Sequence, residues 1–173
     1  MAGQLLYLDS SAIVKLVVPE PETKALRELL RSWPDRVSSV VARIEVERVA
    51  RHIGAGAVRR ARTVLSRIAL VGLDEDVVRV AAALDPAELG TLDAIHLATA
   101  ISLGRDLGAL CAYDVRLGSA AVSKTIEVLT PTQAVLSSSR SDTRRRPTPR
   151  GKATHPLASP PNRTGRRRPL DPR

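Results

Sequence analysis

Leu5-Leu6-Tyr7-Leu8-Asp9-Ser10-Ser11 is the stretch on which the fold turns. Four apolar residues in a row, without alternation, read as a strand buried on both faces. Such strands belong to parallel sheets with helices on either side. Asp9 closes the run, and Ser10 and Ser11 are natural helix caps. Ala12 to Val17 then reads as a short helix. A buried strand that meets an acid and passes straight into a helix is the first half of a βα unit.

The same alternation continues downstream. Pro19 and Pro21 punctuate the chain, and Glu22 to Ser32 is predicted helical with Leu26, Leu29 and Leu30 on one face. Pro34-Asp35 turns it, and Val37-Ser38-Ser39-Val40 reads as a brief strand. Val41 to Ile53 follows as a helix with Ile44, Val49 and Ile53 inward, stopped by Gly54 and Gly56. Val58 to Ile68 is the next helix, rich in arginine, and Ala69 to Leu73 the next strand. Asp74 caps a helix that runs to about Leu84, and Pro86 and Gly90 break it. Thr91 caps Leu92 to Leu103, which is apolar nearly all round and therefore predicted buried. Ala109 to Tyr113 is a strand ending at Asp114, a short helix follows, and Ile126 to Leu129 is the last strand. Strands that alternate with helices imply an α/β protein with a mostly parallel sheet covered on both faces.

Charge divides the chain at about Leu136. The 173 residues carry 27 Lys and Arg against 18 Asp and Glu, a net charge of +9. Residues 1–136 hold 16 of each sign, whereas residues 137–173 hold 11 basic and 2 acidic, so the basicity belongs to a tail. That tail contains seven of the twelve prolines and no aromatic residue. It lacks the apolar surface to offset chain entropy and is predicted disordered. Arg144-Arg145-Arg146 and Arg166-Arg167-Arg168 suit any polyanion, or belong to an extension without function. The body is a usual size for one domain. A single cysteine, Cys111, excludes an internal disulfide and a Cys-rich zinc site. The chain has no signal peptide and no apolar run of membrane-spanning length, so a cytoplasmic location is expected. With no Phe, one Trp and two Tyr, an aromatic base-stacking module is excluded.

Four acids stand out. Asp9 and Asp114 each close an apolar strand, and in an open parallel sheet such ends line the functional crevice. Asp93 falls in the first turn of the most buried helix, and Glu45 in the first turn or so of the helix after the second strand. Each also has a plain reading. First-turn acids complement the helix dipole by about 0.3–1 kcal/mol, and Asp9 or Asp114 can be a turn residue. The plain readings do not explain convergence. Carboxylates gathered in one cleft repel each other, and a hard cation such as Mg²⁺ or Mn²⁺ relieves that. The histidines offer no competing metal set. His96, one turn after Asp93, reads as a packed, hydrogen-bonded helix residue, and Cys111 as core filler.

Tyr7-Leu8-Asp9-Ser10-Ser11-Ala12, then Ser38-Ser39 leading to Glu45, then Leu92-Asp93-Ala94-Ile95-His96-Leu97-Ala98-Thr99-Ala100, then Tyr113-Asp114-Val115-Arg116-Leu117, resemble the PIN-domain ribonucleases. The likeness is to the VapC toxins of type II toxin–antitoxin pairs and spans about Leu5 to Pro131. It implies a three-layer α/β/α fold and Mg²⁺- or Mn²⁺-dependent cleavage of RNA. It makes Asp9 and Asp93 the main metal ligands, with Glu45 and Asp114 completing the set directly or through water. Ser11 would support Asp9 or a bound water, or serve as a plain cap. Arg116 would contact a substrate phosphate, or be a surface arginine. A small antitoxin would cover the cleft with a basic group, and a homodimer would use apolar faces of the early helices. The arginines at 59, 60, 62 and 67 read first as a solvated helix face. The rival reading is a non-catalytic nucleic-acid-binding or scaffold protein that works through its basic tail. A phosphoryl-transfer enzyme with Asp9 as nucleophile fits less well, because no second acid or companion lysine stands beside it.

Overall fold

Five strands and seven helices alternate along the chain in the computed structural model, which describes residues 4–132. The strands are β1 (Leu5–Leu8), β2 (Arg36–Ser39), β3 (Ala69–Val71), β4 (Leu107–Cys111) and β5 (Val128–Leu129). The helices are α1 (Ser10–Val17), α2 (Thr23–Leu29), α3 (Val40–Ile53), α4 (Ala55–Leu65), α5 (Glu75–Ala82), α6 (Thr91–Ser102) and α7 (Val115–Ser123). The predicted tail, residues 137–173, lies outside the described residues.

All pairings are parallel, in the order β3-β2-β1-β4-β5. The chain winds outward from β1 through β2 to β3, then returns to the other side of β1 for β4 and β5. β1 and β4 are therefore neighbours at the point where winding reverses. There the flanking connections leave toward opposite faces and open a crevice at the carboxyl ends of the strands. The Asp9 N–H donates to the Cys111 carbonyl at 3.0 Å and joins those two ends.

The pleat of β1 assigns the layers. Leu6 and Leu8 point into a core with Ala12, Ile13, Leu26, Ala42, Val46 and Ala61, from α1 to α4. Tyr7 points the other way, against Leu97, Ala100, Leu117 and Ala121 of α6 and α7. The result is the expected three-layer α/β/α arrangement.

Several local expectations change. Val41, Ala42, Val46 and Ala50 are the buried residues of α3, while Ile44, Val49 and Ile53 are exposed. Nine residues are about two and a half helical turns, so Ile44 and Ile53 lie on opposite sides and cannot both face inward. β4 begins two residues earlier than predicted and stops at Cys111, which leaves Asp114 beyond the strand. Gly90, not Thr91, is the N-cap of α6. Asp74 does cap α5, its Oδ1 accepting from the Val77 N–H at 2.8 Å. α6 is largely buried, although Leu92 is exposed.

Gly108 is required by its surroundings. Leu107 and Ala109 face the consecutive residues Leu5 and Leu6, so Gly108 is the extra residue of a bulge. A Cβ there would sit 2.6 Å from the Trp33 ring and 2.7 Å from the Gln4 Cβ. Both are too bulky or too fixed to yield cheaply. Gly108→Ala should destabilise the fold by about 1–3 kcal/mol, read as a lower urea midpoint at unchanged slope.

Candidate active site

Asp9 is the N-cap of α1, and its Oδ2 accepts the Ser11 backbone N–H at 3.0 Å. Only 4 % of the residue is exposed. The cap is therefore the acid, and Ser10 and Ser11 are the first two helical residues. Asp wins because its carboxylate reaches back over the first turn while the serines supply the N–H groups. The Ser11 hydroxyl accepts from the Tyr113 N–H at 2.9 Å. Ser11 thus holds Asp9 through its backbone and the loop leading to Asp114 through its side chain.

Asp114 is the N-cap of α7, its Oδ1 accepting from the Arg116 and Leu117 N–H groups at 2.8 and 3.2 Å. The largely exposed Arg116 guanidinium lies 3.7 Å from Asp114 Oδ2. Asp93 is the third residue of α6. Partial burial holds its carboxyl above the usual carboxylate range, reinforced by the negative charges of Asp114 and Asp9. Arg116 and His96 oppose that rise without cancelling it. Three acids from three elements thus share one electrostatic neighbourhood at the mouth of the β1–β4 crevice.

Glu45 reaches the same place differently. It is the sixth residue of α3, past the first turn, so the helix dipole does not account for it. Its Oε2 accepts from the Ser10 hydroxyl at 2.5 Å and faces His96 Nε2 at 2.9 Å. Burial tends to raise its carboxyl, but the hydrogen bonds from His96 and Ser10 outweigh that and hold it below the usual range. His96 Nε2 also lies 3.0 Å from Ser10 Oγ and 3.6 Å from Asp9 Oδ1. His96 is the packed helix residue that its sequence context indicates, yet it sits between two of the acids. Its spacing after Asp93 was the available signal; its partner Tyr7, 89 residues away, was not legible.

Among the described residues, no group of three or more His, Cys, Asp or Glu side chains is arranged to hold a metal ion as they stand. The donor set still fits a hard cation. It is all carboxylate and hydroxyl oxygen, and the Asp93 carboxyl, raised by burial, is raised further by the charges of Asp114 and Asp9. Cys111 is no competitor, since burial first and Asp9 second push its thiol up to about 12. The arginines of α4 form an exposed face, with Arg60 bonded to the Val17 carbonyl.

The PIN domain family model matches residues 6–121. Ribonuclease VapC46 of Mycobacterium tuberculosis is 51% identical over 126 residues, spanning 73% of this chain and 97% of the relative. The chain belongs to the PIN-domain family, among the VapC ribonucleases. Solved structures share the fold at lower identity. A toxin–antitoxin complex from Klebsiella pneumoniae aligns with a TM-score of 0.59 and 22% identity, covering 75% of this chain and 99% of that one. The sarcin–ricin-loop-cleaving toxin VapC20 of Mycobacterium tuberculosis aligns at 0.56 and 18%, covering 66% and 94%.

The acid cluster of this VapC-type domain carries a stability cost that pH exposes. The folded Asp93 carboxyl titrates above its unfolded value of about 3.9, so the folded state binds the extra proton. Its contribution is fully present below that value and is lost as pH rises through the folded pKa. Asp93→Asn removes the charge. In EDTA the variant should melt higher than wild type at neutral pH, and the gain should shrink toward zero as pH falls below the ordinary carboxylate range. Thermal unfolding across pH checks this.

Proposed function

We propose that this chain is the RNA-cleaving toxin of a toxin–antitoxin pair, hydrolysing phosphodiester bonds with Mg²⁺ or Mn²⁺ held by Asp9, Asp93, Asp114 and Glu45. One observation carries the reading: the Asp93 carboxyl is held up by burial first and by the charges of Asp114 and Asp9 second, so the three acids share one cleft. Close relatedness to ribonuclease VapC46 supports the same chemistry. The ion would polarise the scissile phosphate and lower the pKa of a bound water.

The chain's own residues divide the remaining work. The Ser11 N–H fixes Asp9 at the end of β1. The first turn of α7 fixes Asp114, and Ser11 ties that loop to α1. Glu45, kept ionised by Ser10 and His96, is the carboxylate suited to orient the attacking water or take its proton. Arg116, largely exposed beside Asp114, would meet a phosphate of the substrate.

The partner is a small antitoxin that inserts a basic group among the carboxylates, in keeping with the toxin–antitoxin complex from Klebsiella pneumoniae that shares this fold. Val49 and Ile53, one turn apart and exposed on α3, supply apolar surface for a homodimer. No helix among the described residues is long and apolar enough to cross a membrane, which is compatible with action in the cytoplasm. Residues 1–136 form the nuclease domain in this reading, and residues 137–173 are a basic appendage.

Two measurements test it. RNA incubated with the chain should be cut in Mg²⁺ or Mn²⁺ and spared in EDTA, and Asp9→Asn and Asp93→Asn should fall to the EDTA level. Metal-independent cleavage, or unchanged cleavage in folded variants, would contradict the assignment. Separately, a chain ending at Leu136 should keep metal-dependent cleavage while losing part of its salt-sensitive RNA affinity. Loss of cleavage with the tail would favour a tail-driven binding protein instead.

A further inference from the structure

Tyr7 and His96 are two of the largest fully buried side chains, and both carry polar atoms. Their rings meet edge to face with centroids 5.9 Å apart. The Ser39 N–H donates to Tyr7 Oη at 3.1 Å, and Tyr7 Oη lies 2.7 Å from His96 Nδ1. The Tyr7 oxygen, already accepting from Ser39, has its hydroxyl within hydrogen-bond reach of Nδ1 as acceptor. An imidazole that accepts at Nδ1 carries its own proton on Nε2. Nε2–H then points at Glu45 Oε2, 2.9 Å away.

We propose that Tyr7 and His96 act as a positioning pair, which orients the Glu45 carboxylate in the cleft. The inference rests on the nuclease reading above and extends it to residues outside the acid set. Glu45 hangs from the second turn of α3 on a flexible side chain, whose ordering costs entropy. A lysine or arginine would fix it equally well but would place a full positive charge among the acids, against a cation. The imidazole is held by packing on both sides and supplies one directed N–H to Oε2. The phenol fixes the tautomer, as partners remote from a metal commonly fix its ligands. Ser10, adjacent to Asp9, adds a second donor to the same oxygen, so both hydrogen bonds fall on Oε2.

The test compares the full chain with Tyr7→Phe, His96→Leu and His96→Gln. Nitrogen NMR of His96 reads its tautomer, calorimetry reads Mn²⁺ affinity, and cleavage of one single-stranded RNA oligonucleotide reads kcat and KM. In wild type the proton should sit on Nε2, and Tyr7→Phe should shift the population toward Nδ1. His96→Leu, close in volume but without a donor, should lower Mn²⁺ affinity or kcat by about 10–100-fold. KM for the oligonucleotide should change little. His96→Gln, whose amide donates in place of Nε2–H, should recover most of the loss. A role in packing alone would lower the melting temperature, leave the folded fraction with normal Mn²⁺ affinity and kcat, and show no recovery with Gln. Any of those results, or a proton on Nδ1 in wild type, overturns the proposal. If His96→Leu does not fold, Tyr7→Phe decides, since unchanged affinity and kcat there overturn it equally. A wild-type chain that neither binds Mn²⁺ nor cuts RNA would instead sink the nuclease reading, and the positioning role with it.

Discussion

Uncompensated negative charge at the junction of β1 and β4 is the constraint on which this molecule depends. Asp9, Asp93 and Asp114 arrive from three elements and repel one another, and that repulsion adds to burial in holding the Asp93 carboxyl above its ordinary range. Folding alone does not reward that arrangement. Asp9, Asp114 and Glu45 are each tied locally by hydrogen bonds. Backbone N–H groups at the first turns of α1 and α7 hold Asp9 and Asp114, and the Ser10 hydroxyl and the His96 imidazole hold Glu45. Arg116 is the one guanidinium paired with an acid of the set, and it is largely exposed on the rim.

The sheet order makes the meeting possible. Because β4 returns beside β1 after β2 and β3 have been laid on the other side, the segments following β1 and β4 open onto one crevice. The Asp9 N–H bond to Cys111 and the Tyr113 N–H bond to Ser11 lock those segments to each other. Gly108 and Trp33 serve the same end from the opposite edge, setting the bulge that puts Leu8 beside Cys111. The rigid body of the domain thus holds still a set of charges that would otherwise move apart.

Much of this was written in local pattern. The unbroken run from Leu5 to Leu8, the acid after it and the apolar helix around Asp93 announce a parallel sheet with acids near its carboxyl edge. They do so because burial on both faces leaves no room for alternation. Other features depend on packing that no local pattern encodes. α3 carries apolar residues on more than one side, so periodicity did not reveal that Ala42 and Ala50, rather than Ile44 and Ile53, face the core. The small residues lie inside because α3 is pressed close to its neighbours in a crowded layer. The link from Ser10 to Glu45 spans 35 residues, and that from His96 to Glu45 spans 51. Both exist only once the layers are assembled. Helix starts shifted for a simpler reason: Asp9 and the serines after it compete for one capping position, and composition alone does not rank them.

Thermal unfolding of the full chain against Mn²⁺ concentration tests the central claim most directly, because a ligand that binds the folded state raises its stability by mass action. The account predicts a melting temperature that climbs with Mn²⁺ in wild type and stays flat in Asp93→Asn. A wild-type melting temperature indifferent to Mn²⁺, or a rise that survives in Asp93→Asn, would contradict it.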